Sequence, residues 1–126
     1  MEGIMIIHES GENYLETILI LQTKNGSVRS IDIARELNYT KASISRAMSI
    51  LKKEEYIIME SNGNIQLTDK GHSTAEKIYE RHRLISDFLS KSLGIPKDIA
   101  DADACRIEHV ISHETFVKIK ETVENL

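Results

Sequence analysis

The stretch from Ser30 to Thr68 constrains the fold most, because its hydrophobic period changes there within a short span. Ser30 stands where it can cap a short helix with Ile33, Ala34 and Leu37 on its apolar face. After Asn38-Tyr39, the hydroxyl of Thr40 can cap a second helix that runs to about Glu55. In that helix Ile44, Ala47, Met48 and Leu51 recur at three- and four-residue steps, which turns them inward and leaves Ala42, Arg46, Ser49 and Lys53 on the opposite stripe. The period then becomes strand-like. Tyr56-Ile57-Ile58-Met59-Glu60 and Ile65-Gln66-Leu67-Thr68 flank Ser61-Asn62-Gly63-Asn64, where Asn-Gly supplies the positive backbone angles of a tight reversal. Two short helices at this spacing followed by a hairpin make a winged helix-turn-helix.

The remaining periodicity is helical. A first helix is expected from Glu12 to Lys24, with Leu15, Ile18 and Leu19 inward and Ile20 at the margin, ending at Asn25-Gly26. A long helix starts near Thr68 or Asp69 and reaches about Leu93, with Ile78, Ile85, Phe88 and Leu89 along its apolar stripe and His82 inside that stripe. Gly94-Ile95-Pro96 breaks the chain, Pro96 is placed to start the next helix, and Ser112 caps a final one. The fold class is therefore mainly α: a winged helix-turn-helix domain over residues 1–71 and a helical domain over 72–126. Residues 72–126 are too few to build much of a core singly, so a symmetric dimer is the natural cover for their apolar faces.

A chain of 126 residues with 40% hydrophobic and 29% charged content has the balance of a soluble globular protein, which excludes disorder and fibre. One cysteine excludes an internal disulfide and leaves a thiol to pack or to bind metal, as suits a reducing cytoplasm. The apolar run Ile4-Met5-Ile6-Ile7 is too short for a signal-peptide core, and nothing later approaches a membrane span, so the expectation is a cytoplasmic protein with no membrane partner.

A net charge of -4 argues against indiscriminate coating of nucleic acid, yet Lys24, Arg29, Arg35, Lys41, Arg46, Lys52 and Lys53 face only Asp32 and Glu36 in the same segment. On charge alone, a solvated lysine-rich face explains this as well as a phosphate-binding patch does. The second helix adds small and hydroxyl side chains that let a helix sink into a major groove, and no acid occurs between Thr40 and Lys53. The expected DNA-binding residues are Arg29, Thr40, Lys41, Ala42, Ser43, Ser45, Arg46, Ser49 and Lys53, with Asn62 at the wing tip. Asn62 and Asn64 are equally understandable as turn-formers.

Cys105-Arg106-Ile107-Glu108-His109 is the chemically loaded segment. On a helix, residues three and four apart share a face, so Cys105 could reach one point with Glu108 and His109, a point suited to a transition metal. Taken singly, His82 reads more readily as a satisfied core histidine; Cys105 could be a small buried hydrophobe and Glu108 a surface acid, readings that leave their joint pattern unexplained. A cysteine nucleophile needs an oxyanion hole, and no Gly-rich turn or nucleophile-elbow pattern surrounds Cys105, so no enzyme is expected.

In this order the segments resemble the metal-dependent repressor family typified by the diphtheria toxin repressor and the manganese transport regulator. The likeness is carried by Glu12-Asn13-Tyr14-Leu15-Glu16, Ile33-Ala34-Arg35-Glu36-Leu37, Leu67-Thr68 with Gly71, Arg81-His82-Arg83-Leu84, and most specifically Asp103-Ala104-Cys105-Arg106-Ile107-Glu108-His109-Val110-Ile111-Ser112. It implies a metal site at Asn13, Glu16, His82, Cys105, Glu108 and His109, and makes residues 72–126 the metal-binding and dimerisation domain. It further implies a homodimer on a palindromic double-stranded DNA operator, with a divalent metal as corepressor at metal-uptake genes. Thiolate at Cys105 favours Fe2+ over Mn2+, with Zn2+, Co2+ or Ni2+ acceptable in vitro. Departures from the family pattern are Asn13, Ser86 and Asp101, the last two where iron-type members carry a Glu and a His of a second site; the C-terminal SH3-like domain of those members is not expected. The resemblance thus argues against the second metal of the iron-type members, while His82, Glu16 and Glu108 with a backbone carbonyl could hold one as in the manganese regulators. His8 and Glu9 read as surface residues. The alternative is a winged-helix regulator without metal control, constitutive or responsive to thiol oxidation at Cys105.

Overall fold

The computed structural model describes residues 9–126; Ile4-Met5-Ile6-Ile7 and His8 lie outside the described residues, as does the side chain of Glu9. Helix α1 (Glu9–Asn25) is followed by α2 (Ser30–Leu37), α3 (Lys41–Lys53), β1 (Ile57–Met59), β2 (Ile65–Leu67), α4 (Asp69–Asp87), α5 (Lys97–Ile107) and α6 (His113–Glu124). The chain divides into two compact units, residues up to Glu76 and Lys77–Leu126.

The first unit is a winged helix. Leu15, Ile18, Leu21, Val28, Ile33, Ala34, Ile44, Met48, Leu51, Tyr56, Ile57, Ile65 and Ala75 form one buried cluster to which every element of the unit contributes. Each large aliphatic buried there stabilises the unit by roughly 1.5–3 kcal/mol. Ile20, placed at the margin of the inward face of α1, is 43% exposed: Leu21 takes the inward position, as a 3.6-residue period from Ile18 requires. The cap of α2 is Arg29 rather than Ser30. Asp32 accepts the Arg29 N–H at 2.9 Å, reaching back from the first turn to the cap residue, so the helix starts one residue earlier than expected. Thr40 caps α3 as expected, accepting from the Ser43 N–H at 3.1 Å.

β1 and β2 pair antiparallel, Ile57 with Leu67 and Met59 with Ile65, and the reversal turns on Gly63 at φ +90°. A short extended piece at Val28–Arg29 joins the same edge, the Val28 carbonyl accepting from the Ile65 N–H at 2.8 Å. Gly71 explains its place after Leu67-Thr68. A Cβ there would meet the Tyr56 carbonyl oxygen at 2.0 Å, so only glycine lets α4 pack against the end of α3 and the hairpin.

In the second unit the α-helical ladder of α4 ends at Asp87, short of the expected Leu93, and one wider π-type turn, Phe88–Ser92, follows. The Leu89 carbonyl then accepts from the Ile95 N–H at 3.0 Å, and Gly94 turns the chain at φ +72°. Pro96 precedes α5, where its fixed backbone angle and missing N–H do no harm. Ser112 caps α6 through the Thr115 N–H at 3.1 Å, as expected.

Candidate metal centre

Helix α5 ends at Ile107, so Glu108 is its cap residue and His109 begins the following turn. Arg81 of α4 donates to the backbone carbonyl of Glu108 at 2.9 Å and stacks over the Phe116 ring of α6 at 5.1 Å. That contact fixes the cap of α5 against α4. The Glu108 side chain is then carried into the interior, 0% exposed.

Two imidazoles flank the carboxylate there. His82 Nδ1 lies 3.4 Å from Glu108 Oε2, and His109 Nε2 lies 3.3 Å from Oε1, with the His109 side chain almost wholly buried. Neither carboxylate oxygen of Glu108 accepts a hydrogen bond among the described residues. A buried carboxylate that accepts no hydrogen bond is costly by several kcal/mol, a cost that a divalent cation beside it would offset. Imidazole nitrogen with carboxylate oxygen is a donor set for first-row divalent metals, so the residues present fit such an ion.

The structure thus brings His82, Glu108 and His109 together. Asn13 and Glu16 stand on α1 in the first unit, Glu16 buried and Asn13 half-buried, with the Asn13 carbonyl accepting the Thr17 hydroxyl at 2.8 Å. Near them, burial and then the facing Tyr39 hold the Tyr14 phenol above its usual range. Cys105 sits one turn before Glu108 on α5 and is exposed. Arg81 was legible only as part of a motif; its role as the brace of Glu108 needs the fold, because its partner is 27 positions away.

One turn from His82 along α4, the buried Ser86 hydroxyl donates to Asp101 of α5 and accepts from the Lys97 ammonium at 3.0 Å. The Ser86 hydrogen bond first, and the Lys97 ammonium after it, hold the Asp101 carboxyl below the ordinary carboxylate range.

On the first unit, Thr40, Lys41, Ala42, Ser45, Arg46, Ser49 and Lys53 are all exposed along α3, while Ser43 is half-buried beside its cap. Ile50, which periodicity did not single out, is 61% exposed four residues after Arg46 on the same stripe. Arg29 is committed to the wing: its guanidinium donates to the Asn62 carbonyl at 2.6 Å and lies under Gly63. The Asn62 side chain accepts the Asn64 N–H at 2.9 Å, the turn-forming role. Between wing and α3 runs a shallow cleft of about 350 Å³, with Arg29, Ser30, Lys41 and Ser45 in its wall. Among the described residues no helix is long and apolar enough to cross a membrane.

Residues 7–65 match the family described as iron dependent repressor, N-terminal DNA binding domain, and residues 68–126 match iron dependent repressor, metal binding and dimerisation domain. An uncharacterised HTH-type transcriptional regulator of Methanocaldococcus jannaschii is 32% identical over 113 residues, covering 89% of this chain and 90% of the relative. The HTH-type transcriptional regulator MntR of Geobacillus kaustophilus is 31% identical over 115 residues, covering 91% of this chain and 81% of the relative. Among solved structures, T. acidophilum IdeR superposes with a TM-score of 0.81 at 28% identity, over 90% of this chain and 53% of that one. ScaR with bound Zn2+ gives 0.77 at 26% identity, over 92% and 54%. The chain therefore spans about half the length of the solved regulators it resembles.

Proposed function

Because the chain belongs to the iron-dependent repressor family of metal-dependent transcriptional regulators, we propose that it is a metal-activated repressor of metal-uptake genes, acting as a homodimer on a palindromic operator. The observation that carries this reading is the fully buried Glu108 carboxylate set between His82 and His109, accepting no hydrogen bond among the described residues.

His82, Glu108 and His109 would hold the ion, joined by Asn13 and Glu16 of α1 and by the thiolate of Cys105. When bound, a divalent cation supplies the positive charge that offsets these carboxylates. Without it, the like charges of Glu16 and Glu108 would disfavour their meeting at one ion, and the winged helix would be less firmly tied to the helical unit. Offsetting the repulsion restricts the separation of the two recognition helices in a dimer, which must lie about one turn of DNA apart, so metal and operator binding reinforce each other. On the DNA side, Lys41, Arg46 and Lys53 would meet phosphates or a guanine edge, Thr40, Ser43, Ser45 and Ser49 backbone oxygens, and Ala42 or, two turns on, Ile50 a thymine methyl. Arg29 and Asn62 hold the wing that reaches the adjacent backbone.

Fe2+ is favoured over Mn2+ through Cys105; imidazoles and carboxylates without the thiolate would serve Mn2+ equally well. The deciding experiment titrates the metal-free protein with Fe2+ and with Mn2+ under anaerobic conditions while operator binding is followed. Equal DNA affinity with and without either ion refutes the corepressor reading. The exposure of Cys105 supports a second reading, a thiol-responsive regulator. Cys105→Ser separates the two: metal control predicts weakened metal-dependent binding under strict reduction, and a redox switch predicts unchanged binding with loss of the peroxide response.

A further inference from the structure

Ser86 lies one helical turn beyond His82 on α4, and Asp101 lies one turn before Cys105 on α5, so the α4–α5 seam carries two polar rungs. In the first rung Glu108 offers buried oxygens that accept no hydrogen bond among the described residues. In the second, the fully buried Ser86 hydroxyl, Asp101 and Asp87 converge on the Lys97 ammonium, which is 3.0 Å from Ser86, 3.1 Å from Asp101 and 4.0 Å from Asp87. A hydroxyl and two carboxylates aimed at one point form the oxygen-rich donor set of a hard cation. Here that point is held by a cation belonging to the chain. The position of Lys97 supports a role of this kind: it is the first residue of α5, where the helix dipole disfavours positive charge. A compact ammonium with three donors satisfies hydroxyl and carboxylate together.

We propose that Lys97 is a tethered cation that fills the second rung permanently, docking α5 on α4 whether or not the first rung holds metal and excluding a second divalent ion. The exclusion of a divalent ion from this rung rests on the metal reading above; the docking role stands without it. The test combines calorimetric titration of the full chain with Mn2+ and thermal melting of the metal-free protein, for wild type, Lys97→Met and Lys97→Arg. Lys97→Met should bind one more, weaker Mn2+ per subunit than wild type and melt a few degrees lower without metal, and Lys97→Arg should restore both properties. An equal number of Mn2+ in Lys97→Met and wild type, or metal-free Lys97→Met melting like wild type, would each overturn the proposal. Wild type that binds neither Mn2+ nor, in a parallel anaerobic titration, Fe2+ would defeat the metal reading instead, and the melting comparison would still judge the docking role.

Discussion

Glu108→Gln keeps the shape of the buried side chain and removes its charge, so it separates what the carboxylate does for the fold from what it does for a cation. The carboxylate is 0% exposed, accepts no hydrogen bond among the described residues, and has His82 and His109 at 3.4 and 3.3 Å. Taking the carboxylate out of water costs several kcal/mol, and without an ion the two imidazoles are what stands beside it to offset that cost. The metal-free variant should therefore be as stable as wild type to within about 1 kcal/mol, or more stable. With ion present the order reverses. An ion at a hundred times its dissociation constant stabilises the folded protein by about 2.7 kcal/mol, and at about 4 °C per kcal/mol the wild type should melt roughly 10 °C higher. Glu108→Gln should show almost none of that rise. The assay is thermal unfolding followed by circular dichroism, with and without Mn2+ or Co2+. A variant that gains as much from metal as wild type does, or that loses more than about 2 kcal/mol without metal, would refute the reasoning.

Asp101→Asn tests the second rung through pH. The folded carboxyl is held below its ordinary range by Ser86 and then Lys97, so its stabilisation is fully present above the unfolded value of about 3.9 and is lost as pH falls through the lower folded value. Below about pH 4 the wild type should therefore lose stability more steeply than Asp101→Asn, read from urea unfolding at stepped pH. Arg46→Ala should weaken operator binding by about 1–3 kcal/mol if Arg46 reads a guanine edge; if it meets only a phosphate, the loss is uniform across sequences and the salt slope drops by about one. Fluorescence anisotropy on operator and scrambled duplexes at several salt concentrations distinguishes these. Gly71→Ala places a Cβ at 2.0 Å from the Tyr56 carbonyl oxygen, a backbone atom that cannot swing aside, so the winged helix should lose at least about 2 kcal/mol in denaturant titration. A neutral Gly71→Ala would mean that α4 packs differently from the structure described.

Features governed by near neighbours were readable from the order of residues. Thr40 and Ser112 cap their helices because each hydroxyl answers an N–H three residues on, and Asn62-Gly63 reverses the hairpin because the turn needs a positive angle that glycine adopts freely. The inner face of α3 and the family likeness of the ligand motif belong to the same class, since spacing along one element carries them. The cap of α2 falls one residue before Ser30 because Asp32, three residues after Arg29, reaches back to the Arg29 N–H and starts the helix there. Tertiary structure alone decided the rest. Arg29 turns to the wing because folding brings the Asn62 carbonyl within reach, and Arg81 braces Glu108 across 27 positions of chain. Lys97 comes to stand on the buried Ser86 hydroxyl only once α5 lies along α4. Spacing within an element follows from the geometry of the backbone, which every residue shares; the meeting of distant side chains follows from packing, which no local pattern encodes.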